Sequence, residues 1–275
     1  MADVGGESGG LPPPADEVIA EQAAELATEV TEAEQPLERQ RLTVRFAAAA
    51  RAGTEAARSG ARVTGRRVRA TRRRLSTGTD WLTAQVIELA PRVKVRDRAT
   101  LHAHFPGKSA EEIAEALIEG ASRASAAVGG AVGAWAALPV LPAFPVEVAT
   151  ETLALVGIEL KLVAELHEVY AMGATGSAVD RMSAYLAAWA HRRGVALVPG
   201  GILLAAGSPV ARLLRRRLAA RAGRSVFSLG PLLSGAAAGA LLNRRETRRL
   251  GLEVHADLRS RAQTALPPGP ADTGP

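Results

Sequence analysis

Five histidines, His102, His104, His167, His191 and His255, are the side chains best suited to bind a metal or move a proton. His102 and His104 stand two apart, which on a helix turns them about 200° from each other and prevents joint ligation. His167-Glu168 lacks the second histidine of H-E-x-x-H, and no Glu-x-x-His pair builds a di-iron bundle. Glu147 and Glu151 share a helix face at i, i+4, where a buried carboxylate pair would raise one pKa and allow acid–base chemistry. The plainer alternative has Glu147 complementing a helix N-terminus and Glu151 solvated or paired with an arginine. VPGGILLAAGSP lacks the spacing of a phosphate loop, no serine stands in G-x-S-x-G, and cysteine is absent. The expectation is a non-enzymatic protein with no catalytic residue, cofactor, metal or small-molecule substrate.

The elements around these residues are expected to be helical. Hydrophobic residues make up 47% of the 275 but aromatics only 3%, so Ala, Leu, Val and Gly must do the packing, and small residues let helices approach closely. Few runs alternate apolar and polar residues with β-branched enrichment. The predicted class is all-α: a compact bundle of Gly/Ala-rich helical hairpins with an N-terminal helical extension. MADVGGESGGLPPPADE carries neither a basic n-region nor an apolar h-region, so the expected location is cytoplasmic.

Charge is unevenly distributed. Residues 1–38 hold ten Asp or Glu and no Lys or Arg, whereas residues 39–75 hold twelve Arg against Glu55, a contrast concealed by the net charge of +6. Residues 1–14 read as disordered, and 15–75 as an acidic then Arg-rich helical extension. Within it Asp16–Ala33 forms an acidic helix, with Glu17, Glu21 and Glu25 four apart. Arg41, Arg45, Arg51, Arg58, Arg62, Arg66, Arg69 and Arg73 then follow one helical face. Such a face suits anionic lipid or an acidic partner, with Arg58, Arg62, Arg66, Arg69 and Arg73 as the contact candidates. It also reads as a solvated linker folding back on the acidic segment. Nucleic acid is disfavoured, because no aromatic interleaving accompanies the arginines.

Residues 76–264 read as one helical domain and 265–275 as a disordered tail. WLTAQVIELAPR and RDRATLHAHFPG are short helices, and Ser109 with Glu112 has capping-box spacing at the start of a longer one. That helix enters 23 residues without charge, 124–146, containing Gly129-x-x-x-Gly133 and then Pro139, Pro142 and Pro145. Prolines inside a spanning helix cost about 3 kcal/mol each, so two helices joined by a Pro-rich turn are expected, with Pro145 opening the second. The second carries Glu147, Glu151, Lys161 and Glu165 along a narrow stripe, charges that argue against a lipid-exposed span. Uncharged runs Gly194–Ala211 and Ser225–Asn243, the latter with Gly235-x-x-x-Gly239, flank RLLRRRLAARAGR. Arginines at both ends of the second run defeat the positive-inside rule for two spans. A buried helix pair is expected, or a shallow interfacial one held by Arg212, Arg215, Arg216 and Arg217. Gly129, Gly133, Gly235 and Gly239 are the helix-packing candidates.

Between Leu75 and Arg261 the order of GGAVGAWAALPVLPAFP, a long helix ending in HEVY, and GAAAGALLNRRETRRLGLEVHADLR resembles the EcsC family of bacterial proteins. Tyr170, Asn243 and Gly251 stand where that family has a Tyr-Gly helix end and a late glycine segment with an Asn. Ala171 replaces the glycine after the tyrosine, and GATGSAVD replaces an acidic continuation. The resemblance implies a helical, membrane-associated protein without an assigned active site. The function expected from the whole chain is contact with an anionic membrane surface or a membrane protein partner at the inner face of the cell membrane. The alternatives are a soluble helical scaffold with the Gly-rich hairpins as core, or an enzyme using Glu147 and Glu151. Oligomeric state is left open.

Overall fold

The computed structural model describes residues 15–33, 35, 37–39, 41–42, 45, 78–135, 144–198, 201–204 and 231–265. The helices are α1 (Ala15–Glu32), α2 (Gly78–Leu89), α3 (Arg98–His104), α4 (Ala110–Trp135), α5 (Phe144–Val169), α6 (Ala178–Arg193) and α7 (Pro231–Ala265). A 3₁₀ turn, Ala90–Arg92, extends α2, and Val195–Val198 (β1) pairs with Gly201–Leu204 (β2). The class is all-α, as the composition predicts. Residues 1–14, the stripe from Arg51 to Arg73, Arg212, Arg215, Arg216 and Arg217, and all but the first residue of the expected tail lie outside the described residues.

Two expectations need correction. The run Gly194–Ala211 does not open with a helix: Val195–Val198 and Gly201–Leu204 form an antiparallel hairpin in the register Val195↔Leu204 to Val198↔Gly201. VALV and GILL are rich in β-branched residues and flank a Pro-Gly pair, a sequence that favours strands around a tight connection. Nor is α1 part of an appendage. Ala20, Ala23, Ala24, Leu26, Ala27 and Val30 are buried, and most join the same core as α4, α5 and α7. Four-residue glutamate spacing drew attention to the polar face, while the alanines opposite are small enough to bring α1 against α5. A methyl group on Gly157 of α5 would fall 2.8 Å from the Ala27 Cβ.

The core is a three-layer stack built on α4 and α5. Gly120 of α4 faces α1, its ideal Cβ position 3.8 Å from the Thr31 carbonyl oxygen, whereas Gly129 and Ile118 face α7. Positions 120 and 129 project from opposite sides of a helix, so α1 and α7 cover opposite faces of the α4–α5 pair. α7 runs antiparallel to α4, since Arg259 meets Glu111, Gly251 meets Ile118 and Gly239 meets Gly129. It runs parallel to α5, where Thr247 reaches Glu159 and Gly251 reaches Leu162. α6 packs antiparallel on α5, with Tyr185 at Glu168 and Trp189 at Glu159.

Local chemistry fixes the helix ends. Ser109 and Glu112 make the expected capping box, the Ser109 hydroxyl accepting from Glu112 N and Glu112 accepting from Ser109 N. Ser177 and Asp180 make a second one inside GATGSAVD. Asp97 caps α3 by accepting from Thr100 N at 2.8 Å. α5 ends in a Schellman motif: Met172 N donates to His167 O at 2.9 Å and Ala171 N to Glu168 O at 3.0 Å. Ala171 thereby adopts φ 55°, a left-handed conformation that glycine takes without strain. Ala171→Gly is therefore expected to raise stability by about 0.5–1 kcal/mol, the left-handed penalty less the larger unfolded-state entropy of glycine. Urea unfolding of both proteins measures it, and an unchanged or lower midpoint contradicts the strain.

Candidate functional site

Part of the polar stripe read on α5 is buried. Lys161 is 0% and Glu165 1% exposed, one turn apart between α1, α5 and the segment following the 3₁₀ turn. The Lys161 ammonium uses all three donors, on Glu165 Oε1 at 2.7 Å, Lys94 O at 2.7 Å and Glu32 Oε1 at 3.1 Å. Arg96 grips Glu165 with Nε at 2.9 Å and Nη2 at 2.8 Å, and its backbone N–H donates at 3.2 Å. Burial alone would raise the Glu165 pKa, but the Arg96 hydrogen bonds and the Lys161 charge outweigh it and hold the carboxylate below its ordinary range. A lysine with every proton committed to an acceptor is no nucleophile or base in this arrangement.

A second buried cluster ties α5 to α6 and α7. Glu159 accepts from Trp189 Nε1 and Arg193 Nε, both at 2.9 Å, from Thr247 Oγ1 at 3.0 Å, and from Arg193 Nη2. Arg193 also lies 3.5 Å from Glu246 Oε2. Nearer the end of α5, the Tyr185 hydroxyl donates to Glu168 at 3.0 Å and accepts from Ala174 N. Gly173 leaves room for that carboxylate, since a methyl there would meet Glu168 Oε1 at 2.7 Å.

The histidines do not converge. His102 and His104 are on α3, His191 on α6 and His255 on α7, and no three His, Asp or Glu side chains group to hold a metal among the described residues. His167 directs Nδ1 at Val163 O, 2.7 Å away, so Nδ1 carries the proton of the neutral ring. Its pKa is lowered, chiefly by burial, and Arg192 and Arg261 add repulsion. Glu147 and Glu151 both lie on the first two turns of α5, but their side chains are outside the described residues.

The helix-packing glycines are brought together in part. A methyl on Gly129 would overlap the Asn243 amide and stand 2.9 Å from the Gly239 carbonyl oxygen, so α4 and α7 touch backbone to backbone there. Asn243, buried, donates to Ser125 O at 3.3 Å and closes the crossing. Gly133 and Gly235 occupy the same helices one turn further toward their uncharged ends. Gly251 lets α7 approach Ile118, and Tyr170 stacks 5.8 Å from the His255 ring.

These pairings gather the uncharged runs at one end of the molecule. The antiparallel α4 and the parallel α5 and α7 place Trp135, Phe144 and Pro231 at the same pole. From that pole to residues 124, 158 and 243, the three helices carry only Glu147 and Glu151 as charges. The hairpin β1–β2 leaves α6 just after Arg193, at the level of Glu159, and touches α2. Leu89, the last residue of α2, meets Gly157, and Arg96, beyond the 3₁₀ turn, meets Glu165. The convergence of 124–135 with 231–243 depends on helix direction and was not legible in the sequence.

No helix among the described residues is long and apolar enough to cross a membrane. No protein family, curated protein or solved structure matches the chain. The likeness to the EcsC family rests on the residues quoted for it.

Two predictions follow from the buried groups. Glu165→Leu strands two cations and is expected to cost about 3–5 kcal/mol, whereas Lys161→Met leaves the Arg96 pair intact and costs less. Equal losses in denaturant unfolding would contradict this ordering. For His167 the folded-state pKa lies below the unfolded value of 6.5, so the unfolded chain binds its proton first. Stability is therefore expected to fall as pH drops below about 6.5, and His167→Gln to flatten that dependence in thermal melts across pH 5–8. An unchanged profile would remove His167 from the account.

Proposed function

We propose that the protein acts without catalysis, by binding an anionic membrane surface from the cytoplasmic side with its uncharged pole inserted shallowly. The observation that carries this reading is the meeting of the uncharged stretches 124–135 of α4 and 231–243 of α7 at one end of the bundle, beside the start of α5, where Glu147 and Glu151 are the only charges. Apolar helix ends and a hairpin can enter the headgroup and acyl boundary, while arginines beside them contact lipid phosphates at about 1 kcal/mol each. The three-layer body above the pole keeps its buried charges paired internally, which suits a domain resting on a bilayer rather than crossing it.

A second reading, a soluble helical scaffold, draws on the Gly129–Gly239 crossing, which places part of the run 124–146 against protein. The two separate in a flotation assay with the full chain. The membrane reading predicts binding to phosphatidylglycerol-containing vesicles, weak binding to phosphatidylcholine alone, and loss with rising salt. Alanine at Arg62, Arg66, Arg69 and Arg73 should lower the partition by about a hundredfold or more. Absence of vesicle binding at low salt contradicts the membrane reading and favours the scaffold.

A further inference from the structure

The outward face of α7 carries a strip that the charge pattern alone did not mark. Leu241, Arg245, Arg248 and Leu252 fall at steps of four, three and four, and so share one side of the helix. Leu241 is 67% and Leu252 47% exposed, and they are the exposed large aliphatic side chains of α7 among the described residues. Around the strip the cations are matched: Arg244 with Glu119, Arg249 with Glu253, Arg259 with Glu111 and Arg261 with Asp257. Arg245 and Arg248 are exposed and have no ion-pair partner among the described residues.

We propose that this strip is the surface through which the protein meets an anionic lipid bilayer, with Leu241 in the acyl boundary and Arg245 and Arg248 on lipid phosphates. The assignment rests on the membrane reading above and adds an orientation to it. Leu241 lies within the uncharged stretch of α7, three residues before the first charge, Arg244. An arginine stem above such a boundary lies along apolar surface while its guanidinium reaches the headgroups. On the far side of the α4–α5 pair, α1 exposes Glu21, Glu25 and Glu29. An anionic surface is repelled from that side and attracted to the α7 side, so the molecule leans onto α7. An acidic protein would account for the two arginines but would leave the exposed leucine beside the uncharged pole without a role.

The absence of cysteine makes the test direct. The full chain with Leu241→Cys, labelled with a polarity-sensitive fluorophore, is mixed with phosphatidylcholine vesicles containing phosphatidylglycerol. A blue shift is expected at 241 and none with the label at Glu25→Cys. Arg245→Glu with Arg248→Glu should lower vesicle partition at least about tenfold, while the unfolding midpoint stays unchanged because neither side chain has an ion-pair partner among the described residues. If the unsubstituted chain binds vesicles but the double variant binds equally well, or the shift appears at 25 and not at 241, the strip is wrong and the membrane reading stands. If the unsubstituted chain ignores the vesicles, the reading itself fails and takes the strip with it.

Discussion

A lysine ammonium with no solvent contact must have all its protons accepted, and Lys161 meets that requirement only if three separate pieces of chain converge on it. Glu165 is supplied by its own helix, Lys94 O by the segment after the 3₁₀ turn, and Glu32 by the end of α1. Arg96 completes the neutralisation of Glu165 and fixes the path of residues 93–97. The N-terminal helix is thereby held against α5 by a charge as well as by alanine packing. The Glu159–Arg193–Trp189–Thr247 cluster performs the equivalent task on the other side of α5, for α6 and α7. Helix α5 is thus a spine with one ionic clamp toward each outer layer.

Those clamps lie in the second half of α5, and the first half has none among the described residues. The division runs through the whole bundle: ion pairs and capping boxes concentrate where α4 begins and where α5 and α7 end. Gly- and Ala-rich helix with only Glu147 and Glu151 as charges makes up the opposite pole. Glycines at 129 and 239 allow the backbones of α4 and α7 to touch at the boundary, so small residues there replace the electrostatic fixing used above. A bundle divided this way carries its ionic clamps and helix caps at one end, and contact with a lipid boundary is the use we propose for the other.

The sequence carried much of this architecture. Capping-box spacing at Ser109–Glu112 marks the start of α4, the prolines at 139, 142 and 145 separate α4 from α5, and glycine pairs mark a close helix crossing. Ser177-x-x-Asp180 carries the same cap signal within the polar stretch GATGSAVD. Other features were beyond the periodicity of the chain. Lys161 and Glu165 read only as part of a narrow polar stripe, because a four-residue charge spacing is the same whether water or a buried arginine lies opposite. The burial of the α1 alanines was not legible, since the matching Gly157 is more than a hundred residues away. That Arg245 and Arg248 have no ion-pair partner among the described residues appears only when the partners of their neighbours are known.

Hydrogen–deuterium exchange of the full chain, with and without phosphatidylglycerol-containing vesicles, tests the polar division most directly. The account predicts vesicle-dependent protection in residues 124–146, 195–204 and 231–248, with exchange in 98–112 and on α1 unchanged. Protection spread evenly over the bundle, or confined to α1 and the charged end, would contradict it.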